Sequence, residues 1–132
     1  PIWGMGPYIE HQDTPLNNHR ELLLSKEERF NLSVKMVSVL RLLMPDINIA
    51  ATTALQSLRK NGREKAIMAG ANVIMPNITP ALYRGEYFLY ENKPTSTKND
   101  EDELSSLELS LSAVGNKICY FTQGNSKHYY NK

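Results

Sequence analysis

The sequence predicts an α/β fold of about three parallel βα units, and two observations lead to this prediction. Short apolar segments alternate with segments of helical period between residues 1 and 93. The connections between them are short, which favours parallel βα units over a sandwich or a helical bundle. A chain of 132 residues can bury a modest core but is too short for a complete eight-stranded barrel enzyme, which needs roughly 200 residues or more.

The first predicted unit begins with an apolar strand at residues 2–5 and continues through a long polar loop over residues 8–24. Ser25 lies three residues before Glu28, which is the spacing of a capping box, so a helix is expected to begin there. Pro45 is expected to end that helix. Its expected apolar face consists of Met36, Val37, Leu40, Leu43 and Met44.

The second unit is predicted to begin with a short buried strand at residues 47–51. Asn61 and Glu64 repeat the capping-box spacing and predict a helix over residues 62–69. Gly70 suits the left-handed residue that commonly follows a helix.

The third unit is predicted as a strand at residues 71–75 followed by a helix that begins at Thr79 and Pro80. Residues 94–103 form an acidic, polar segment without apolar side chains and are expected to be a solvated loop. Residues 104–132 are predicted to add a helix ending near Gly115, a last strand at 117–122 and a polar tail.

Charge and composition exclude several classes of function. The net charge is +1, with acidic and basic residues interspersed, so no nucleic-acid partner is expected. No segment approaches the roughly 20 consecutive apolar residues of a membrane helix, and no secretory signal is visible. The single thiol, Cys119, forms neither an internal disulfide nor a metal cluster alone and is expected to be inert in a strand. A reducing cytoplasm is the expected location, with an organelle left open.

A parallel sheet of three strands leaves a packing problem, since parallel sheets are normally buried on both faces. The chain is therefore expected to belong to a larger barrel or to dock onto a partner that supplies further strands. The exposed sheet edge also predicts self-association of the isolated chain.

Ligands of parallel α/β barrels gather at the carboxyl ends of the strands. This rule selects residues 5–8 after the first strand, Thr52 and Thr53 after the second, and residues 75–77 after the third. Together they offer hydroxyls, an amide and the thioethers of Met5 and Met75, but no carboxylate pair and no nucleophile beside a base. Adjacent residues of a strand point to opposite sides, so only one of the two threonines is expected to face a central pocket. The set favours binding over hydrolysis, although methionines at strand ends more often fill a core.

Two further pairs of residues leave alternatives open. His11 and Asp13 have the types needed for a base and its orienting carboxylate, but a brace that supports the loop before Pro15 is the favoured interpretation. Tyr87 and Tyr90 either close the mouth of a ligand pocket or pack the last helix onto the sheet.

Four segments, at residues 4–16, 42–55, 61–66 and 69–80, resemble the [FeFe]-hydrogenase maturase E branch of the biotin synthase-like radical S-adenosylmethionine (SAM) enzymes. The helix and strand after the acidic segment resemble, more loosely, the biotin and thiamin synthesis associated region. The resemblance implies a partial TIM-like barrel: residues 1–93 would be the C-terminal half-barrel, 94–103 an acidic loop and 104–132 the appendage.

Family members bind a [4Fe–4S] cluster through a Cys-x3-Cys-x2-Cys motif and cleave SAM at it. That motif is absent here, so the chain is not expected to hold the cluster or to cleave SAM by itself, and whether it acts as an enzyme stays open. The resemblance also implies a cavity for SAM and a small-molecule or small iron-complex substrate. The positions that match this cavity are Met5, Thr52, Thr53, Ala54, Met75, Tyr87 and Tyr90.

The leading hypothesis is the cavity portion of a maturase that helps to assemble the hydrogenase diiron cofactor, working with an N-terminal cluster-binding half in the same or another chain. Two alternatives are a non-catalytic binding or scaffold remnant, and biotin synthase itself. The stretch of residues 51–54 fits the maturase branch better than biotin synthase.

Overall fold

The computed structural model describes residues 2–76 and 100–130, with the side chains of 100–103 left undescribed. The strands in these ranges are Ile2–Gly4 (β1), Asn48–Ala51 (β2) and Val73–Ile74 (β3). The α-helices are Lys26–Leu43 (α1), Thr53–Leu58 (α2), Gly62–Met68 (α3), Asp100–Ala113 (α4) and Lys127–Tyr130 (α5), and a 3-10 helix spans Pro15–Leu22.

The three strands form one parallel sheet in the order β1-β2-β3. Gly4 is paired with Ala50 across the first ladder, and Ala50 with Val73 across the second. All four residues of the central strand β2 are buried. The α/β class and the parallel strands are thereby confirmed, whereas a larger TIM-like barrel stays a prediction.

The predicted first helix is confirmed, together with its cap. The Glu28 backbone N–H donates to the Ser25 hydroxyl, and the Ser25 backbone N–H donates to the Glu28 carboxylate, so both halves of the capping box are present. Val37 is completely buried, as expected, in the main core with the β2 and α2 side chains. The apolar face was wrong in part, because Met36 and Leu43 are exposed.

β1 was wrongly predicted to be buried. Ile2 is 62% exposed and Trp3 is 47% exposed, because β1 is an outer strand of the sheet. Its apolar side chains face solvent in the described part of the chain.

Two short helices before β3 lie where the sequence predicted none. The 3-10 helix falls inside the segment predicted as loop, and α2 follows β2 at once. The next helix, α3, is where it was predicted, but its N-cap residue Asn61 makes no side-chain capping bond. Gly62 opens α3 against α2 so tightly that a β-carbon there would lie 2.1 Å from the Leu55 carbonyl oxygen. Gly70 adopts a positive φ of 119°, as its position after the helix predicts.

The C-terminal region differs from its prediction in three ways. α4 starts at Asp100, inside the segment predicted as a solvated loop. Residues 117–122 form no strand, and Phe121 takes a positive φ of 58° that strand geometry does not allow. The predicted polar tail contains α5, and Gly115 ends the helical region with a φ of 75°. The third predicted helix, which carries Tyr87 and Tyr90, lies outside the described residues.

None of the helices in the described ranges is long and apolar enough to cross a membrane.

Candidate functional site

The carboxyl ends of β1 and β2 meet at one edge of the sheet, as expected for parallel neighbours. The Thr52 hydroxyl donates a hydrogen bond of 3.3 Å to the Met5 carbonyl oxygen. Gly6 lies so close that a β-carbon on it would be 2.8 Å from Thr52 Oγ1 and 3.2 Å from Ala54 Cβ. The structure therefore brings together Met5, Thr52 and Ala54, with Gly6 as the residue that permits their close approach.

Thr53 has a different partner from Thr52. It is the first residue of α2, and its hydroxyl accepts a hydrogen bond of 3.4 Å from the Arg63 guanidinium on α3. The two hydroxyls thus serve different neighbours, Thr52 towards the end of β1 and Thr53 towards α3. Thr52 occupies the N-cap position of α2 without making a side-chain capping bond.

Arg63 is a residue of this edge that the sequence analysis missed. Its guanidinium donates to the Thr53 hydroxyl and so places a positive charge at this edge. No sequence signal identifies it, because Arg63 lies on α3, the second helix after β2, and its hydrogen bond to Thr53 depends on how α3 packs against α2.

Met75 follows β3 and is 53% exposed. It lies after the same end of the sheet as Thr52, since all three strands are parallel. Tyr87 and Tyr90, the predicted pocket mouth, lie outside the described residues.

His11 and Asp13 take part in a local turn. The Asp13 backbone N–H donates to His11 Nδ1 at 3.2 Å, while the Thr14 hydroxyl donates to the His11 carbonyl oxygen at 2.7 Å. The Thr14 hydroxyl also lies 2.8 Å from the Tyr8 hydroxyl. His11 Nδ1 and the Asp13 carboxylate are 3.7 Å apart. These contacts can brace the loop that leaves β1.

A buried ion pair fastens the same loop to α1. Arg29 donates to the Tyr8 carbonyl oxygen at 2.7 Å and to the Glu10 carboxylate at 2.9 Å. Arg20 lies 3.5 Å from the same carboxylate but is largely exposed. The sequence analysis missed Arg29, because an arginine in an amphipathic helix usually lies on the solvent side.

The chain's own side chains do not fit an iron–sulfur cluster. Cys119 is exposed and its sulfur lies 3.0 Å from the Thr122 hydroxyl. Within residues 2–76 and 104–130, no three His, Cys, Asp or Glu side chains are grouped in a way that could hold a metal ion. A [4Fe–4S] cluster needs several cysteine thiolates, and the sequence contains one cysteine.

Comparison with known families gives a match between residues 2–110 and the family model described as the biotin and thiamin synthesis associated domain. The chain belongs to this family. The match includes both the βα units and most of α4. The domain is also similar to the [FeFe] hydrogenase maturase subunit HydE of Thermotoga maritima, with 50% identity over 90 residues.

This alignment takes in 68% of the chain and 24% of the Thermotoga protein, so the chain spans about a quarter of the length of that relative. The resemblance expected from the sequence, to the biotin and thiamin synthesis associated family and to the maturase E branch, is confirmed. The family match covers residues 2–110, whereas the sequence analysis assigned this region to residues 104–132.

Proposed function

We propose that this domain is the cavity portion of a radical SAM protein of the hydrogenase maturase type, acting in assembly of the hydrogenase diiron cofactor. The observation that carries this proposal is the 50% identity to a hydrogenase maturase subunit. The carboxyl edge at Met5 and Thr52 supports it, because ligands of parallel α/β barrels bind at that end of the strands.

The residues of this edge would line and shape a pocket. The Thr52 hydroxyl holds the chain at Met5, and Gly6 leaves no gap between the two strand ends. Met75, Tyr87 and Tyr90 are proposed as further parts of the wall. Neutral hydroxyl and thioether groups are better suited to binding SAM and a small substrate than to catalysing hydrolysis as acids and bases.

The cluster is proposed to belong to an N-terminal cluster-binding part, in the same polypeptide or in a separate subunit. Since this chain does not offer the ligands, no step of the reaction is assigned to its own residues. The single exposed thiol suits a reducing compartment, and we place the protein in the cytoplasm.

A docking surface for that part lies on the outer side of the first βα unit. β1 is an outer strand with exposed Ile2 and Trp3. On α1, four exposed apolar side chains recur at steps of four, three and four residues, which places them on one line of the helix. We call them the α1 stripe: Leu32, Met36, Val39 and Leu43. A further parallel strand and its helix would cover β1 and the α1 stripe together.

The proposal is tested by Thr52→Val in the full-length protein with its cluster reconstituted, by measuring anaerobic SAM cleavage. Valine keeps the shape but removes the hydrogen bond to Met5, so we expect kcat/KM for SAM to fall about fivefold or more. Thr122→Val is the matched control, because its hydroxyl bonds only within its own turn.

If the Thr52→Val variant cleaves SAM with the same kcat/KM as the parent, the carboxyl edge at Thr52 is not part of the SAM cavity. A full-length protein that never cleaves SAM would favour the alternative, a binding or scaffold remnant without catalysis.

A further inference from the structure

The amino end of β2, opposite the candidate site, carries a cluster of hydrogen-bonded polar side chains, of which Asn48 is buried, Arg41 is half-buried and Asn72 is exposed. Asn48 is the first residue of β2 and is only 7% exposed. Its side-chain oxygen accepts a hydrogen bond of 3.0 Å from the Asn72 amide. Asn72 in turn accepts the Ile49 backbone N–H at 2.8 Å and donates its own backbone N–H to the Ile49 carbonyl oxygen at 2.9 Å. The two asparagines therefore join the start of β2 to the segment that enters β3.

Arg41 of α1 completes this cluster. Its guanidinium donates to the carbonyl oxygens of Gly70, Pro45 and Ile47 at 2.9, 2.7 and 2.8 Å, and to the Asn72 side-chain oxygen at 3.1 Å. These acceptors lie in the segments that lead into β2 and β3. Arg41 therefore joins the two segments to α1 through bonds that involve no residue of the C-terminal region.

One donor of the cluster is directed away from the sheet. The Asn48 side-chain N–H donates to the Gly124 carbonyl oxygen at 2.8 Å, a contact with the segment that the sequence predicts to be a solvated tail. A second bond runs the other way, from the His128 backbone N–H to the Asp46 carbonyl oxygen at 3.0 Å. Ser126, which lies between these two contacts, is only 4% exposed.

A free polar tail does not bury a serine between two long-range hydrogen bonds. A backbone group that faces water gains little stability from a hydrogen bond to protein, because water already satisfies it. The buried Asn48 side-chain N–H needs a protein acceptor, because a buried donor without a hydrogen bond is costly. The segment therefore occupies a defined place against the start of β2.

We propose that residues 124–128 are a plug that covers the amino end of β2, the central strand of the described sheet. The Asn48 side chain anchors the plug at one end, and the Asp46 carbonyl oxygen anchors it at the other. The plug shields the start of the central buried strand from water. This inference does not depend on the reaction proposed above.

The test is hydrogen exchange of the His128 amide, together with tryptic cleavage after Lys127, in the full-length protein. The parent protein should protect the amide and resist cleavage at this site. Asn48→Asp keeps the oxygen that accepts from Asn72 but replaces the donor to Gly124 with a carboxylate oxygen, which repels the carbonyl. We expect both rates to rise about tenfold or more.

The matched control is Asn116→Asp, since the exposed Asn116 side chain bonds only to the nearby Val114 carbonyl oxygen. It should leave both rates unchanged. Ser126→Gln places a larger side chain at the buried position between the two anchors and leaves the sheet cluster, the His128 amide and the Lys127 cleavage site unchanged. It should release the plug while the α1 amides keep their protection.

If Asn48→Asp also exposes the α1 amides, the Ser126→Gln result decides. An unprotected His128 amide in the parent, or release by neither substitution, would overturn the proposal.

Discussion

Gly6 and Thr52 are fitted against each other at the carboxyl edge. A β-carbon on Gly6 would lie 2.8 Å from Thr52 Oγ1, inside the normal contact distance. Gly6→Ala should therefore displace Thr52 and lower the unfolding free energy by about 1–3 kcal/mol, measured by thermal or urea unfolding. Gly4→Ala is the control, because nothing lies within 4 Å of its β-carbon position. Equal stability of the two variants would contradict the described packing.

At the same scale, the sequence predicted some residues of the edge and missed others. Thr52 and Thr53 could be predicted because they directly follow an apolar strand, and strand ends share an edge in any parallel sheet. Arg29 and Arg63 could not, because their hydrogen-bonding partners are set by how helices dock on loops and on each other. The hydrophobic periodicity of a helix predicts that such arginines face solvent.

The capping box of α1 is an element whose contribution depends on pH. The Ser25 hydroxyl, and then the Ser25 backbone N–H, donate to the Glu28 carboxylate and lower the pKa of Glu28 below its ordinary value of 4.5. A lowered pKa in the folded state means that stabilisation is present above the unfolded value and is lost as pH falls through the folded value. Glu28→Gln should therefore be less stable than the parent at pH 7, and the difference should shrink below about pH 4.5.

Ser25→Ala removes the other half of the box and should lower the unfolding free energy by about 1 kcal/mol at pH 7. Ser105→Ala, at an exposed position inside α4, is the control and should be neutral or slightly stabilising. Unfolding curves at pH 7 and pH 3 measure both effects. A difference between Glu28→Gln and the parent that persists unchanged at pH 3 would contradict the role of the charged carboxylate.

An element could be predicted from the sequence when it is long and makes its capping hydrogen bonds within its own segment. The long helix α1 carries its own cap and period, so the sequence alone predicts it. α2 has six residues, too few to show a helical period, and it forms where the chain leaves β2. The predicted strand at 117–122 fails because its alternation is weak and no described strand pairs with it.

At the scale of the whole molecule, β1 and the α1 stripe both expose large apolar side chains. The purified chain should therefore self-associate at tens of micromolar, as measured by light scattering. Met36→Lys, in the middle of the stripe, should shift the population towards monomer. Leu42→Lys, at an exposed position on another line of α1, should shift it much less. A monodisperse monomer of the parent chain would contradict this prediction.

The expectation of a larger assembly rests on packing alone, because parallel sheets are normally buried on both faces. The nature of the proposed partner does not follow from packing and rests on the similarity to the maturase subunit. The plug at the amino end of the sheet was also beyond prediction, because its contacts join Asn48 to residues far away in the sequence.

The central claim is that this domain provides the cavity wall while another part provides the cluster. The most direct test is calorimetric titration of SAM into the purified chain, first alone and then mixed with an iron-reconstituted cluster-binding part from the same genome. We predict no binding to the chain alone, and binding with SAM cleavage in the mixture. Absence of SAM binding in the mixture, or equal binding with and without the cluster-binding part, would contradict the claim.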